Sequence, residues 1–240
     1  AVTPSAPIIA LCTDFGRAGP YVGQMQAVLH RRAPQARVID LFCELPPFNP
    51  RAAAYLLPAY VSEFPAGTVF LCVVDHGVGG PRRPVVLKAD GRWFVGPENG
   101  LFDILARRAA GSEYWEITRR PAAPSASFHG RDLFAPVAAM LACGEDPPGE
   151  PSAAPLNAKW PDDLAEVVYI DHFGNAMTGL RMVTLPPGAA VVFKGRAVPR
   201  ARTFSDLAPG QPFWYENANG LVEIAANQGR AAGLLAAAVG

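Results

Sequence analysis

Apolar positions along the first 145 residues fall into two alternating patterns. The runs "PIIALCTDF", "ARVIDLF" and "GTVFLCVVD" read as β-strands. Between them, "YVGQMQAVLHRRA" and "NPRAAAYLLPAYVSEF" place apolar side chains at helical spacing, and Pro58 is expected to kink the second. "RPVVLKAD" and "RWFVGPEN" read as a hairpin, and "DLFAPVAAMLACG" as a helix with Asp132 as its N-cap and Gly144 beyond its C-terminus. Strands alternating with helices predict an α/β layer fold with a mostly parallel sheet.

The periodicity then stops. From Gly144 to Asp163 the chain is rich in Pro and Ala, and it resumes as short strands, "AEVVYID", "AAVVFKG", "FWYEN" and "GLVEIAAN", separated by turn signals. This predicts an N-terminal α/β domain over 1–145, a linker over 146–163 and a small C-terminal β-barrel domain over 164–240.

Charge narrows the partners. The 21 basic and 21 acidic side chains cancel, so no net field draws the protein to nucleic acid or anionic lipid, and a small-molecule ligand fits better. No apolar run approaches the roughly 18 residues of a membrane span, and "AVTPSAPIIALCTDFG" lacks the features of a secretory signal. Cys12, Cys43, Cys72 and Cys143 form no C-x-x-C pair and sit in apolar settings. They read as buried, reduced thiols in a cytoplasmic protein, with no metal site and no cofactor expected.

Three strands end in an acid, at "CTDFG", "VVDHG" and "YIDHFGN". In open α/β sheets ligands bind outside the carboxyl ends of the strands, so Asp14 and Asp75 would face one crevice if the first and third strands are neighbours; turn capping is the competing role. The glycines after Asp75 run into Pro81, Pro84 and a strand instead of opening a helix, which excludes a dinucleotide loop. His129 stands just before a helix N-terminus, where amides and dipole disfavour an imidazolium. The chain has no G-x-S-x-G elbow to support a nucleophilic triad.

Six segments in order, "TDFG…PYVGQMQAVL", "VVDHGVG…RRPV", "FVGPENGLF", "FHGRDLFAPVAA", "YIDHFGNAMT" and "NGLVEIAANQGRAA", resemble the S-adenosyl-L-methionine hydroxide adenosyltransferase family, hydrolase relatives of fluorinase and chlorinase. The resemblance runs from Ile8 to about Ala232. It implies cleavage of S-adenosylmethionine by water into adenosine and L-methionine. Asp75, Arg82 and His129 match the residues that handle the attacking water, with either Asp75 or His129 as base; Arg83 reads as a solvated hairpin residue. Asp14 matches the acid on the ribose hydroxyls and Phe48 the aromatic wall at the reacting centre, while Phe128 and Gly130 flank His129 on the substrate side. Asp171, Phe173 and Asn175 match residues that grip the methionine amino group and adenine; Ala226, Asn227 and Gln228 match a strand edge that reads adenine.

The resemblance also implies a homotrimer with sites at subunit interfaces. Departures from the family pattern are His76 for Pro, Gly19 for Asp, Phe42-Cys43 for Thr-His and Ala218 for Ser. Two alternatives remain beside hydrolysis: a sensor that binds the nucleoside without turnover, and a halogenase. The carboxylate at position 75 argues against the second, because it would repel a halide and accept a proton from water.

Overall fold

The first and third β-rich runs become central strands of a seven-stranded sheet, whereas "ARVIDLF" forms an edge strand and is largely exposed. In the computed structural model, which describes residues 5–154 and 159–240, the elements of this part are β1 (Ile8–Thr13), α1 (Tyr21–Arg32), β2 (Arg37–Phe42), α2 (Pro50–Val61), β3 (Val69–Val73), β4 (Pro84–Ala89), β5 (Arg92–Pro97), α3 (Asp103–Arg108), β6 (Ser112–Ile117), α4 (Ala135–Ala142) and β7 (Gly149–Pro151). Residues 155–158 of the expected linker lie outside the described residues. Contacts divide the chain into two units: described residues up to 54 with 63–154, and 55–62 with those beyond 158.

The sheet of the first unit has the order β2-β1-β3-β5-β4-β6-β7. β2, β1, β3 and β5 pair in parallel, β4 runs against β5 and β6, and β7 against β6, so β1, β2, β3, β5 and β6 share one direction. The chain passes from β1 to β2 on one side and returns to β3 on the other. That reversal opens a crevice at the carboxyl ends of β1 and β3.

Alternation along β3 shows how both sheet faces are covered. Val69, Leu71 and Val73 join Ile9 and Leu11 against Met25 and Leu29 of α1 and Val137, Ala138 and Leu141 of α4. Phe70 points to the other face and stacks on Phe94 at 5.0 Å and 11°. The hairpin β4–β5 closes through Asp90 and Gly91, both at positive φ (47° and 76°), the two-residue turn whose twist matches paired strands.

Several expectations change. The C-terminal helix of this unit begins earlier than the apolar pattern implies, with a wide turn over Gly130–Phe134 that leads into α4. Asp132 therefore lies inside the first turn and is not the N-cap; its carboxylate instead accepts from Arg131 and from the backbone of Ser125. Cys12 and Cys72 are buried, but Cys43 is half-buried and Cys143 exposed, since Cys143 follows the last turn of α4. α3 and β6 have no counterpart in the sequence reading: α3 is only six residues, and "SEYWEI" mixes charged and aromatic positions. No helix among the described residues is long and apolar enough to cross a membrane.

The second unit contains β8 (Leu164–Ile170), β9 (Ala176–Arg181), β10 (Val191–Phe193), β11 (Arg196–Val198), β12 (Pro212–Glu216), β13 (Leu221–Ala226) and the short α5 (Ala231–Leu234). Its strands form an antiparallel sheet of order β12-β13-β9-β8 and a separate ribbon β10-β11. Val167, Ala176, Trp214, Val222 and Ile224 make one core with Val198, and Val191 and Phe193 pack against it.

Phe70 is fully buried in the stacked pair, so Phe70→Ala is expected to cost about 3–5 kcal/mol through lost transfer energy and a residual cavity. Urea unfolding checks this; a loss below about 1 kcal/mol would mean the second face of the sheet is not packed as described.

Candidate active site

Register brings two of the strand-end acids together. β1 and β3 pair from Ile9↔Val69 to Thr13↔Val73, so Asp14 and Asp75 emerge side by side at the sheet reversal. Asp75 is the more enclosed, with 3% of its side chain exposed, against 10% for Arg82. Arg82 grips it with both arms of the guanidinium: Nε donates to Oδ1 at 2.8 Å and Nη2 to Oδ2. Such a fork fixes the carboxylate plane as well as its charge.

The third member follows from the wide turn. His129 caps it at the N-terminal end, and its Nδ1 lies 3.0 Å from Arg82 Nη2. A guanidinium can only donate, so Nδ1 is an acceptor and the ring is neutral with its proton on Nε2. Burial, then the Arg82 charge, hold His129 below its ordinary 6.5 against the opposing pull of Asp75. Asp75, Arg82 and His129 thus form one connected cluster containing an anion, a cation and a neutral donor.

Asp14 is held differently. Its Oδ2 accepts from the backbone N–H of Phe48 at 3.0 Å, and burial pushes its carboxyl up, partly offset by that bond and by His76. Asn49 caps α2 by accepting from Ala52 N at 2.9 Å, with Pro50 in the first turn, which leaves Phe48 just before the helix. Phe48 adopts φ 59° and is 72% exposed. A left-handed aromatic turned to solvent is a strained arrangement that packing alone does not reward. The His76 ring meets Phe48 edge-on at 6.1 Å.

Phe128 and Gly130 lie beside these groups. Phe15, Tyr21 and Phe128 form a triangle of edge-to-face rings at 5.5–5.8 Å. A Cβ on Gly130 would meet Met25 Sδ at 3.2 Å and Phe128 at 3.3 Å, so this wall is closed to larger side chains. Phe15 and Tyr21 were not singled out from sequence, because only the fold brings three dispersed aromatics together. Arg83 differs from the sequence reading: it bonds Glu98, Glu116 and Ser152, a buttress joining β5, β6 and the segment after β7. Asn99 also escaped notice; its Nδ2 donates to Val74 O at 2.8 Å, directly ahead of Asp75.

The other candidates lie in the second unit. Asp171 closes the loop after β8 by accepting from Asn175 N at 2.8 Å and Asn175 Nδ2 at 2.9 Å, and Gly174 takes φ 83° where a Cβ would meet Arg230 at 2.8 Å. Asp171, Phe173, Asn175, Ala226 and Gln228 line one cavity of about 760 Å³. Phe173 is 71% exposed. Asn227 is turned to other work: its Nδ2 donates to Leu207 O, its carbonyl accepts from Gly210 and its N–H donates to Gln211 O. Among the described residues, no group of three His, Cys, Asp or Glu is placed to hold a metal ion.

Comparisons with known proteins agree with this partition. Residues 9–150 match a model of the SAM hydroxide adenosyltransferase N-terminal domain, and residues 165–240 the C-terminal domain of the same name. The chain is 43% identical over 237 residues to the (R)-S-adenosyl-L-methionine hydrolase of Thermus thermophilus, covering 91% of each. It is 41% identical to the protein of that name from Salinispora arenicola, covering 98% of this chain and 96% of the relative. A crystal structure of an uncharacterized conserved protein from Thermotoga maritima superposes with a TM-score of 0.86 at 33% identity, covering 97% of both chains.

The cluster makes a titration prediction. In an NMR titration the His129 ring should protonate below its ordinary 6.5, and Arg82→Leu should move that midpoint upward by removing the nearest cation. A midpoint above 6.5 in the unaltered protein would contradict the neutral-ring assignment.

Proposed function

This chain belongs to the SAM hydroxide adenosyltransferase family, and from that premise we propose that it hydrolyses S-adenosyl-L-methionine to adenosine and L-methionine by attack of water on the ribose C5′. The observation that carries the mechanism is the Asp75–Arg82–His129 cluster. Water forms the new O–C5′ bond as the C5′–S bond breaks, and its electron pair stays on sulfur. The sulfonium leaves as a neutral thioether, so no general acid is required.

The demand falls on the nucleophile, and there the residues divide the work. Asp75 orients the water and receives its proton, because the one nitrogen of His129 not facing Arg82 already carries hydrogen. His129 donates to the water through Nε2–H, and Arg82 holds Asp75 in the plane the attack requires. Asp14 takes the ribose hydroxyls, Phe48 and Phe128 wall the nucleoside, and Gly130 lets Met25 and Phe128 pack closely behind that wall. Asp171, Phe173, Asn175, Ala226 and Gln228 receive the remainder of the substrate in the cavity of the second unit. Asn227 acts there by bracing the segment before β12. No metal or cofactor takes part.

The relatives' names specify the (R) configuration, and this chain is proposed to share that preference. Two features of assembly belong to the same proposal. The core common to the four-stranded sheet and the β10–β11 ribbon supports a barrel-like second unit. A homotrimer would join the water-handling residues of one protomer to the cavity of the next.

Adenosine and methionine should form in equal amounts from the (R) epimer, faster than from the (S) epimer and undiminished by chelator. Asp75→Asn should lower kcat by about two decades, the usual scale for a positioned acid–base group, with a smaller change in KM. Chelator-sensitive turnover, or an Asp75→Asn variant as active as the parent, would refute the mechanism.

A further inference from the structure

The cavity of the second unit contains a charge that the residues discussed so far do not use. Along β13, Val222 and Ile224 enter the core, which leaves Glu223 between them on the opposite face, in the cavity wall. Glu223 is 2% exposed. Its Oε1 accepts from Tyr215 Oη at 2.7 Å and its Oε2 from Asn217 Nδ2 at 2.9 Å, so both oxygens are held as an ionised carboxylate would be.

Among the described residues neither Glu223 nor Asp171 has an ion-pair partner, although Asp171 lines the same cavity and its charge opposes ionisation of Glu223. Arg230, the cavity's guanidinium, donates to His172 O. Groups facing Glu223 from other elements are Met177 of β9, Tyr215 of β12, Asn217 in the following turn and Tyr60 of α2; Tyr60 donates to Met177 Sδ and is pushed up to about 12 by burial and then by Glu223. Tyr60, Phe173, Phe204 and Tyr215 supply aromatic faces around these two acids. Two carboxylates that make no ion pair, among aromatic rings, form a seat for a cation.

We propose that Glu223 joins Asp171, to which the family resemblance already assigns the methionine amino group, in recognising that α-ammonium, and that Glu223 is a specificity-determining residue for its charge. The assignment rests on the proposed hydrolysis and adds a residue to it. Ala218 lines the same cavity and offers no side-chain polar group, which leaves more of the recognition to the carboxylates.

Burial of the carboxyl also gives Glu223 a stability signature. Burial raises the Glu223 carboxyl above its ordinary 4.5, so the folded state holds its proton more tightly than the unfolded chain does. Its contribution to stability is therefore present at low pH and is lost as pH rises through the folded value. The near-isosteric Glu223→Gln, which has no ionisable group there, should lose this pH dependence.

The experiment compares S-adenosylmethionine with its analogue in which hydroxyl replaces the α-amino group. For Glu223→Gln, KM for S-adenosylmethionine should rise about tenfold or more, as expected for a lost charged contact, with most of the loss in KM. The same substitution should change KM for the hydroxy analogue by less than about twofold. Equal losses on both substrates, or no loss on either, would overturn the proposal while leaving hydrolysis by the parent intact. Should the variant not fold, the parent decides. Its preference for the amino substrate must weaken as pH falls through the Glu223 titration, and a preference that stays constant down to about pH 4 would also overturn the proposal.

Discussion

Everything proposed at the reacting centre depends on one buried ion pair. Enclosing a carboxylate and a guanidinium costs several kcal/mol per ion before any attraction is counted, and such pairs often contribute little net stability. Asp75 and Arg82 are nonetheless held at 3% and 10% side-chain exposure, in a two-armed contact at the end of β3. The pair fixes the carboxylate's orientation and, through Arg82 Nη2, the tautomer of His129. A single contact thereby specifies an acceptor and a neutral donor beside it. It also argues against halide chemistry, since an anion entering beside Asp75 would meet a negative charge in a poorly screened setting.

The rest of the first unit serves to keep that contact in place. Parallel pairing of β1 with β3 puts Asp14 beside Asp75, and Asn99 bonds the carbonyl just ahead of Asp75. Arg83, adjacent in sequence to Arg82, ties its own loop to Glu98 and Glu116. Neighbouring arginines thus divide into one that bonds Asp75 and His129 and one that anchors the backbone through Glu98 and Glu116. In the second unit the same economy recurs: Asp171 and Asn175 close a loop, and strand alternation turns Glu223 to the cavity that Asp171 lines while Val222 and Ile224 enter the core on the other face.

Strands β1 to β5 were legible as β-rich runs bounded by turn signals, and the order of the first three made the Asp14–Asp75 crevice a conditional inference that pairing then satisfied, whereas β6 and β7 carry no such run. The proposed Asp75, Arg82 and His129 trio and most proposed substrate positions came from motif order, which locates residues without showing their contacts. Several contacts were invisible for physical reasons. The early start of the last helix rests on a wide turn that ordinary helix periodicity does not encode, so Asp132 was misread as its cap. Arg83 gave no local sign of its partners, because Glu98 and Glu116 reach it only through sheet pairing. Glu223 lay in a plainly apolar strand, and its meaning appears only with the cavity that the fold forms around it.

The most direct measurement is isotopic. In a single turnover of S-adenosylmethionine in water enriched in oxygen-18, attack at C5′ by a water held at Asp75 must place one labelled oxygen in adenosine at the 5′ position and none in methionine. Unlabelled adenosine, or label in an amino-acid product formed together with a thioether nucleoside, would show that the C5′–S bond is not the one water breaks.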